Sequence, residues 1–149
     1  MLQIARHTDY ASRIVLHLAC LEPGAQASIA EIAEQRLLPA YFVRRLIGKL
    51  VQGGILATSR GSLGGIRLAR PADQITLLDL VEAMEGPIAL NPCLAENHTC
   101  PFSAECPVQT VWAGATSALK ASLAAARFDV LATTPGHRDA HLELLPKGR

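Results

Sequence analysis

Along the first third of the chain, apolar side chains return every three or four residues, a rhythm that predicts helices. Between Thr8 and Leu21 the positions Ile14, Val15, Leu18 and Leu21 repeat at helical spacing, until Glu22-Pro23-Gly24 interrupts them. Ser28-Ile29-Ala30-Glu31 has the form of a capping box, a hydroxyl three residues ahead of an acid, and opens a short helix reaching about Arg36. Pro39 suits the first turn of another helix, which runs to about Gln52 with Phe42, Val43, Leu46, Ile47 and Leu50 as its buried stripe. Gly53-Gly54 ends it.

The period then changes. Ile55 to Thr58 and Ile66 to Ala69 read as two short strands, with the glycine-rich turn Arg60-Gly61-Ser62-Leu63-Gly64-Gly65 between them, and so as a hairpin. Thr76-Leu77-Leu78-Asp79 resembles a further helix start, with an end near Gly86-Pro87. Residues 88–107 hold prolines and cysteines and read as loop. From Val108 to Leu131 a single long helix is expected, with Val108, Val111, Trp112, Ala115, Leu119, Ser122, Leu123 and Ala126 along one face. The segment 132–149 mixes Pro, Gly and charge and is expected to be disordered or loosely packed.

Composition agrees with a helical reading. Half of the 149 residues are apolar but only 4% are aromatic, with much Ala and Leu, which favours helices over a β-sandwich in one compact domain. No apolar run approaches the roughly 20 residues that cross a bilayer. The stretch MLQIARHTDYAS lacks the apolar core and cleavage site of a signal peptide, so the cytoplasm is the expected location.

Two short helices, a tight turn and a hairpin form the order of a winged helix-turn-helix, in which the second helix enters the major groove and the hairpin touches flanking backbone. The net charge of +1 conceals an asymmetry that fits this reading. Residues 1–70 carry nine Lys or Arg against four Asp or Glu, while residues 71–149 carry five against nine. Five of those nine basic residues lie on the two elements that would meet DNA: Arg44, Arg45 and Lys49 on the second helix, Arg60 and Arg67 on the hairpin. The full DNA-facing set is Ser28, Pro39, Tyr41, Arg44, Arg45 and Lys49, with Arg60, Ser62 and Arg67 from the hairpin. An enzyme finds little support. There is no nucleophile elbow and no His/carboxylate constellation, and RGSLGG joins two strands without the helix that a phosphate-cradling loop needs.

Three of the four cysteines fall within fourteen residues, Cys93, Cys100 and Cys106, spaced Cys-x6-Cys-x5-Cys. In a reducing compartment such a group points to metal ligation or redox thiols before disulfides. Iron is well served by thiolates, and a loop with prolines at 92, 101 and 107 can aim three sulfurs at one centre. Zinc, completed by His98 or another side chain, and a metal-free thiol sensor stay open as alternatives. Cys20 lies in the apolar first helix and reads as a small core residue.

Thr8-Asp9-Tyr10-Ala11, the Ser28 to Ala33 helix start, SRGSLGGIRLAR at 59–70 and the three cysteines together resemble the Rrf-type bacterial winged-helix transcriptional regulators, the group of IscR, NsrR and RirA. The similarity spans roughly residues 1–130. It implies a mainly α fold: a winged helix-turn-helix with a two-stranded wing over 1–86, a cysteine cluster-binding loop over 87–107, and a long dimerisation helix over 108–131 that crosses its partner. It further implies a homodimer on a double-stranded operator, with no membrane and no small-molecule substrate, whose iron–sulfur cluster controls DNA binding, most simply as a repressor. The cluster-assembly regulators take their fourth ligand from a His three residues past the last cysteine, and here that position is Gln109. The nitric-oxide sensors use an Asp near the N-terminus of the other subunit, and Asp9 matches it. The resemblance thus implies a cluster held by Cys93, Cys100, Cys106 and Asp9, 4Fe–4S in preference to 2Fe–2S, sensing nitric oxide, redox state or iron supply. A family regulator without a cluster, answering to zinc, thiol oxidation or a partner protein, is the alternative. Asp9 also reads simply as an acid complementing a helix N-terminus, with His7 and His98 as lesser ligand candidates. Many members open the recognition helix with Ser-Gln-x-Tyr-Leu-Glu-Gln, whereas Arg44 stands here in place of the Glu. Arginine reads guanine where Glu accepts from cytosine, so a changed operator preference is expected. Arg60 is expected in a minor groove or on phosphate.

Overall fold

The computed structural model describes residues 3–59, 64–95, 100–102 and 105–134. Among them the order is α1 (Arg6–Ala19), α2 (Ile29–Gln35), α3 (Ala40–Gln52), β1 (Leu56–Thr58), β2 (Ile66–Leu68), α4 (Leu77–Glu85), α5 (Pro107–Ala125) and α6 (Phe128–Thr133), with single 3-10 turns at Ala72–Gln74 and Pro92–Leu94. The fold is mainly helical with one antiparallel two-stranded sheet.

Local chemistry accounts for most boundaries. α1 begins two residues earlier than its apolar spacing suggests and buries Ala11, Ile14, Val15 and Leu18 along one stripe. The Ser28 hydroxyl accepts the Glu31 N–H at 3.1 Å and starts α2. Pro39 is the N-cap of α3, one position outside the first turn expected of it. Its missing N–H leaves no helical bond unmade. Thr76 and Asp79 exchange both bonds of a capping box at the start of α4, Thr76 N–H to Oδ2 at 2.9 Å and Asp79 N–H to Oγ1 at 3.2 Å. One junction breaks local rules. Leu37, in the α2–α3 turn, has φ 52°, a left-handed backbone that glycine would take without strain.

In the hairpin Leu56 faces Leu68, Ala57 faces Arg67 and Thr58 faces Ile66. Ala27, just before α2, exchanges two 2.9 Å backbone bonds with Ile66, so the wing is stitched to the helix pair. Ser59 adds a side-chain tie, its hydroxyl 2.6 Å from Gln26 Oε1.

The expected single helix from Val108 to Leu131 is two helices. α5 stops at Ala125, Leu77 N–H bonds the Ala126 carbonyl at 2.8 Å, and Phe128 N–H bonds the Ile75 carbonyl at 3.0 Å. Phe128 then enters the core formed by α1 to α4 and the hairpin, and α6 packs on α1. The apolar periodicity runs smoothly through this break, because Phe128 and Leu131 serve the first core and Val108 to Leu123 do not. Arg60, Ser62, His98 and the segment 135–149 lie outside the described residues.

Candidate functional site

The two faces of α3 are cleanly divided. Val43, Leu46, Ile47 and Leu50 point into the core, while Tyr41, Arg44, Arg45 and Lys49 are exposed. Arg44 lines a cleft of about 550 Å³ with Ser28, Ile29 and Ala40 on one wall and Thr58, Ser59 and Gly65 of the hairpin on the other. Cation, helix start and wing thus meet in one concavity, suited to a phosphate backbone with bases beyond it. Arg45, about 100° further round the helix, lines a separate cavity of about 210 Å³ with His7, Phe42, Lys49 and Met84. Arg67 is exposed on β2, with one guanidinium nitrogen 3.3 Å from the Leu68 carbonyl. It borders a third cavity with Cys20, Leu68 and Arg70 and does not join the Arg44 cleft. Arg44, Arg45 and Arg67 therefore border three different cavities.

Tyr41 leads back into the fold through a ring contact with Phe42 at 5.5 Å. Phe42 in turn meets Tyr10 edge-on at 5.7 Å, and the Arg13 guanidinium lies 5.4 Å from the Tyr10 ring. Arg13 ends this chain on Asp9, with Nη2 2.8 Å from Oδ2. The N-terminus of α1 is anchored beside the end of α4 by the Ala5 N–H, which donates to Glu85 Oε1 at 3.0 Å. The Thr8 hydroxyl holds the Glu85 carboxyl below its ordinary range, helped by the Ala5 N–H and the His7 charge and opposed by partial burial. Lys49 turns inward, its Nζ donating to the Met84 carbonyl at 3.2 Å.

The cysteine loop leaves α4 at Gly86, whose φ of 89° requires glycine. No disulfide joins any of the four cysteines. Cys93 sits in the Pro92–Leu94 turn, where its N–H donates to Asn91 Oδ1 at 3.2 Å. Cys106 is the N-cap of α5. Gln109, one turn into that helix, donates from Nε2 to the Cys93 carbonyl at 3.2 Å and draws the two segments together. Gln109 therefore ties the Cys93 turn to α5, a contact for which its sequence position carried no signal. Cys100 is half-buried beside the exposed Phe102. Cys20 is half-buried at the end of α1, its Sγ 3.8 Å from the Ala132 carbonyl. Burial pushes the nearby Arg36 guanidinium below its ordinary range, and the Cys20 sulfur opposes that shift.

The donor chemistry suits an iron–sulfur centre, with three thiols in one loop and Cys106 at a helix N-terminus, where an anionic ligand is electrostatically favoured. Among the described residues no three His, Cys, Asp or Glu side chains gather into a metal site. A single subunit in this conformation thus supplies sulfur donors but does not assemble them, and its Asp9 is engaged by Arg13. No helix among the described residues is long and apolar enough to cross a membrane.

A profile of the Rrf2 family, described as iron-dependent transcriptional regulator, matches residues 4–134. The chain belongs to the Rrf2 family. Protein rrf2 of Nitratidesulfovibrio vulgaris strain Hildenborough is 30% identical over 118 residues, spanning 79% of this chain and 79% of that protein. CymR (YrzC), the global cysteine regulator of B. subtilis, superposes with a TM-score of 0.71 at 27% identity, covering 89% of this chain and 98% of that one. T. potens IscR, at 22% identity and a TM-score of 0.66, covers 99% of this chain and 94% of its own, a likeness of fold. The Rrf2 chain is thus a DNA-binding transcriptional regulator with a winged-helix fold, related to regulators and not to enzymes.

Proposed function

We propose that this Rrf2 regulator is a homodimeric, cytoplasmic repressor whose operator binding is controlled by an iron–sulfur cluster, 4Fe–4S in preference to 2Fe–2S. The ligands are Cys93, Cys100 and Cys106 of one subunit and Asp9 of the other, and the signal is nitric oxide, redox state or iron supply. One observation carries the reading: the three thiols occupy the connection between α4, which packs on the recognition helix α3, and α5, which is exposed. When bound, the cluster supplies an iron centre that reacts with diatomic gases and oxidants.

The chain's own residues do the rest. Val108, Val111, Trp112 and Leu119 leave an apolar face on α5 that a second copy covers. A carboxylate is a harder and more exchangeable iron ligand than a thiolate, so Asp9 makes the site responsive, and Arg13 holds that carboxylate while it is off the metal. Closing the loop across two subunits sets the spacing of two α3 helices against one turn of DNA, about 34 Å. Arg44, Ser28 and the wing then engage the operator, with Arg60, Ser62 and Arg67 on or beside the hairpin, Tyr41 and Arg45 at the flank of α3, and Pro39 fixing its start.

Anaerobic purification with visible absorption and native mass measurement tests this, with Cys100→Ala alongside. A brown wild type with iron and acid-labile sulfide, and a colourless variant with altered DNA affinity, is the expected result. A colourless, metal-free wild type whose affinity equals that of the variant removes the cluster, and bound zinc in place of iron selects the alternative chemistry.

A further inference from the structure

Lys49 stands on the recognition helix, where a lysine would ordinarily be assigned to phosphate, yet its ammonium donates to another helix. α4 carries two acids in its last turn, Glu82 and Glu85, and no basic residue, so its C-terminal partial charge has no cation from its own sequence. Lys49 provides one from α3 by bonding the Met84 carbonyl at 3.2 Å, one of the orphan acceptors of the helix end. A second contact holds the same two helices together. Gly53, the C-cap of α3, lies so close to α4 that a Cβ there would stand 2.6 Å from the Ala83 Cβ.

The end of α4 is also tied to the other two elements that matter. Glu82 pairs with Lys120 of α5 at 2.9 Å, and Glu85 takes the Ala5 N–H ahead of α1 at 3.0 Å. The next residue, Gly86, begins the cysteine loop. Lys49 therefore grips the last helical turn before that loop.

We propose that Lys49 is a positioning residue that latches the recognition helix to the end of α4, so that the cysteine loop and α3 move together, and that it makes no phosphate contact. This deepens the sensing reading above and rests on it for the source of the movement.

The test uses the full-length protein and a duplex selected by the wild type from a random pool, with affinity measured across a range of salt. A phosphate-binding lysine contributes about 0.9 to the slope of log affinity against log salt. Lys49→Met is expected to weaken binding about fivefold, at the low end of energetic couplings between sites. Its salt slope should equal that of the wild type, and Lys49→Arg, which still reaches a carbonyl, should restore affinity. The difference in affinity between wild type and Cys100→Ser should also shrink when Lys49→Met is added to both. A slope lowered by about 0.9 assigns Lys49 to phosphate and overturns the proposal, as does unchanged affinity with an unchanged Cys100→Ser effect. Equal binding by wild type and Cys100→Ser sinks loop sensing instead, and the salt slopes then still accept or reject the latch.

Discussion

In α1, Ala11, Ile14 and Val15 are wholly buried, whereas in α5, the longest helix, only Thr116 is buried and Val111 is 67% exposed. α1 is amphipathic and turns its apolar stripe into the core, whereas α5 is richer in apolar residues and leaves several of them exposed. The helix-turn-helix half encloses its own core within one chain, with Phe128 closing it from beyond the break after α5. The half formed by the cysteine loop and α5 presents exposed apolar surface and three half-buried cysteines. The first half is thus a closed core, and the second leaves apolar side chains uncovered within one chain.

Phe128→Ala should break the first half most severely. Loss of a fully buried ring costs about 3–5 kcal/mol, read as a lower urea midpoint for the whole domain, and a loss under about 1 kcal/mol would place α6 outside the core. Val111→Asp should act only on the second half. Sedimentation should report monomers, while the unfolding free energy of the core shifts by no more than about 0.5 kcal/mol. Trp112, the sole tryptophan, lies on the same face, so its emission should move to longer wavelength as the dimer parts. A dimer that survives Val111→Asp would show that α5 is not the interface.

Arg44→Ala should weaken operator binding by about 1–3 kcal/mol, concentrated at one base-pair position. An equal loss on every sequence would reduce Arg44 to a phosphate contact. Leu37→Gly should raise stability by about 1 kcal/mol by relieving the left-handed strain, measured by denaturant midpoint. No gain would mean that the turn carries no strain. The smallest effect concerns Glu85, whose carboxyl is held below its ordinary value of 4.5. Its contribution is full above that unfolded value and fades as pH falls through the lower folded one. Glu85→Gln should therefore flatten the loss of stability in acid, and an unaltered acid limb would show that the Ala5 and Thr8 contacts add nothing.

Much of the fold was legible because its signals are local. Helical spacing, the Ser28 and Thr76 caps, the glycines at 53, 54 and 86 and the change of period at the hairpin each act within a few residues. The break after Ala125 was not legible, because it depends on Ile75 and Leu77 claiming backbone bonds from residues about fifty positions away. Lys49 illustrates the same limit. Its bond to a carbonyl on another helix has no signal in the residues around it.

By itself, the amino-acid order determined the helix pair, the wing, the exposed cations of α3 and the presence of three thiols in one loop, since spacing and side-chain chemistry need no distant partner. Only the tertiary structure decided that Arg44, Arg45 and Arg67 border three different cavities, that α6 closes the first core, and that α4 is gripped from α1, α3 and α5 at once. The reason is that a periodic pattern shows that a face will be buried, whereas the partner that buries it is set by packing between segments far apart along the chain.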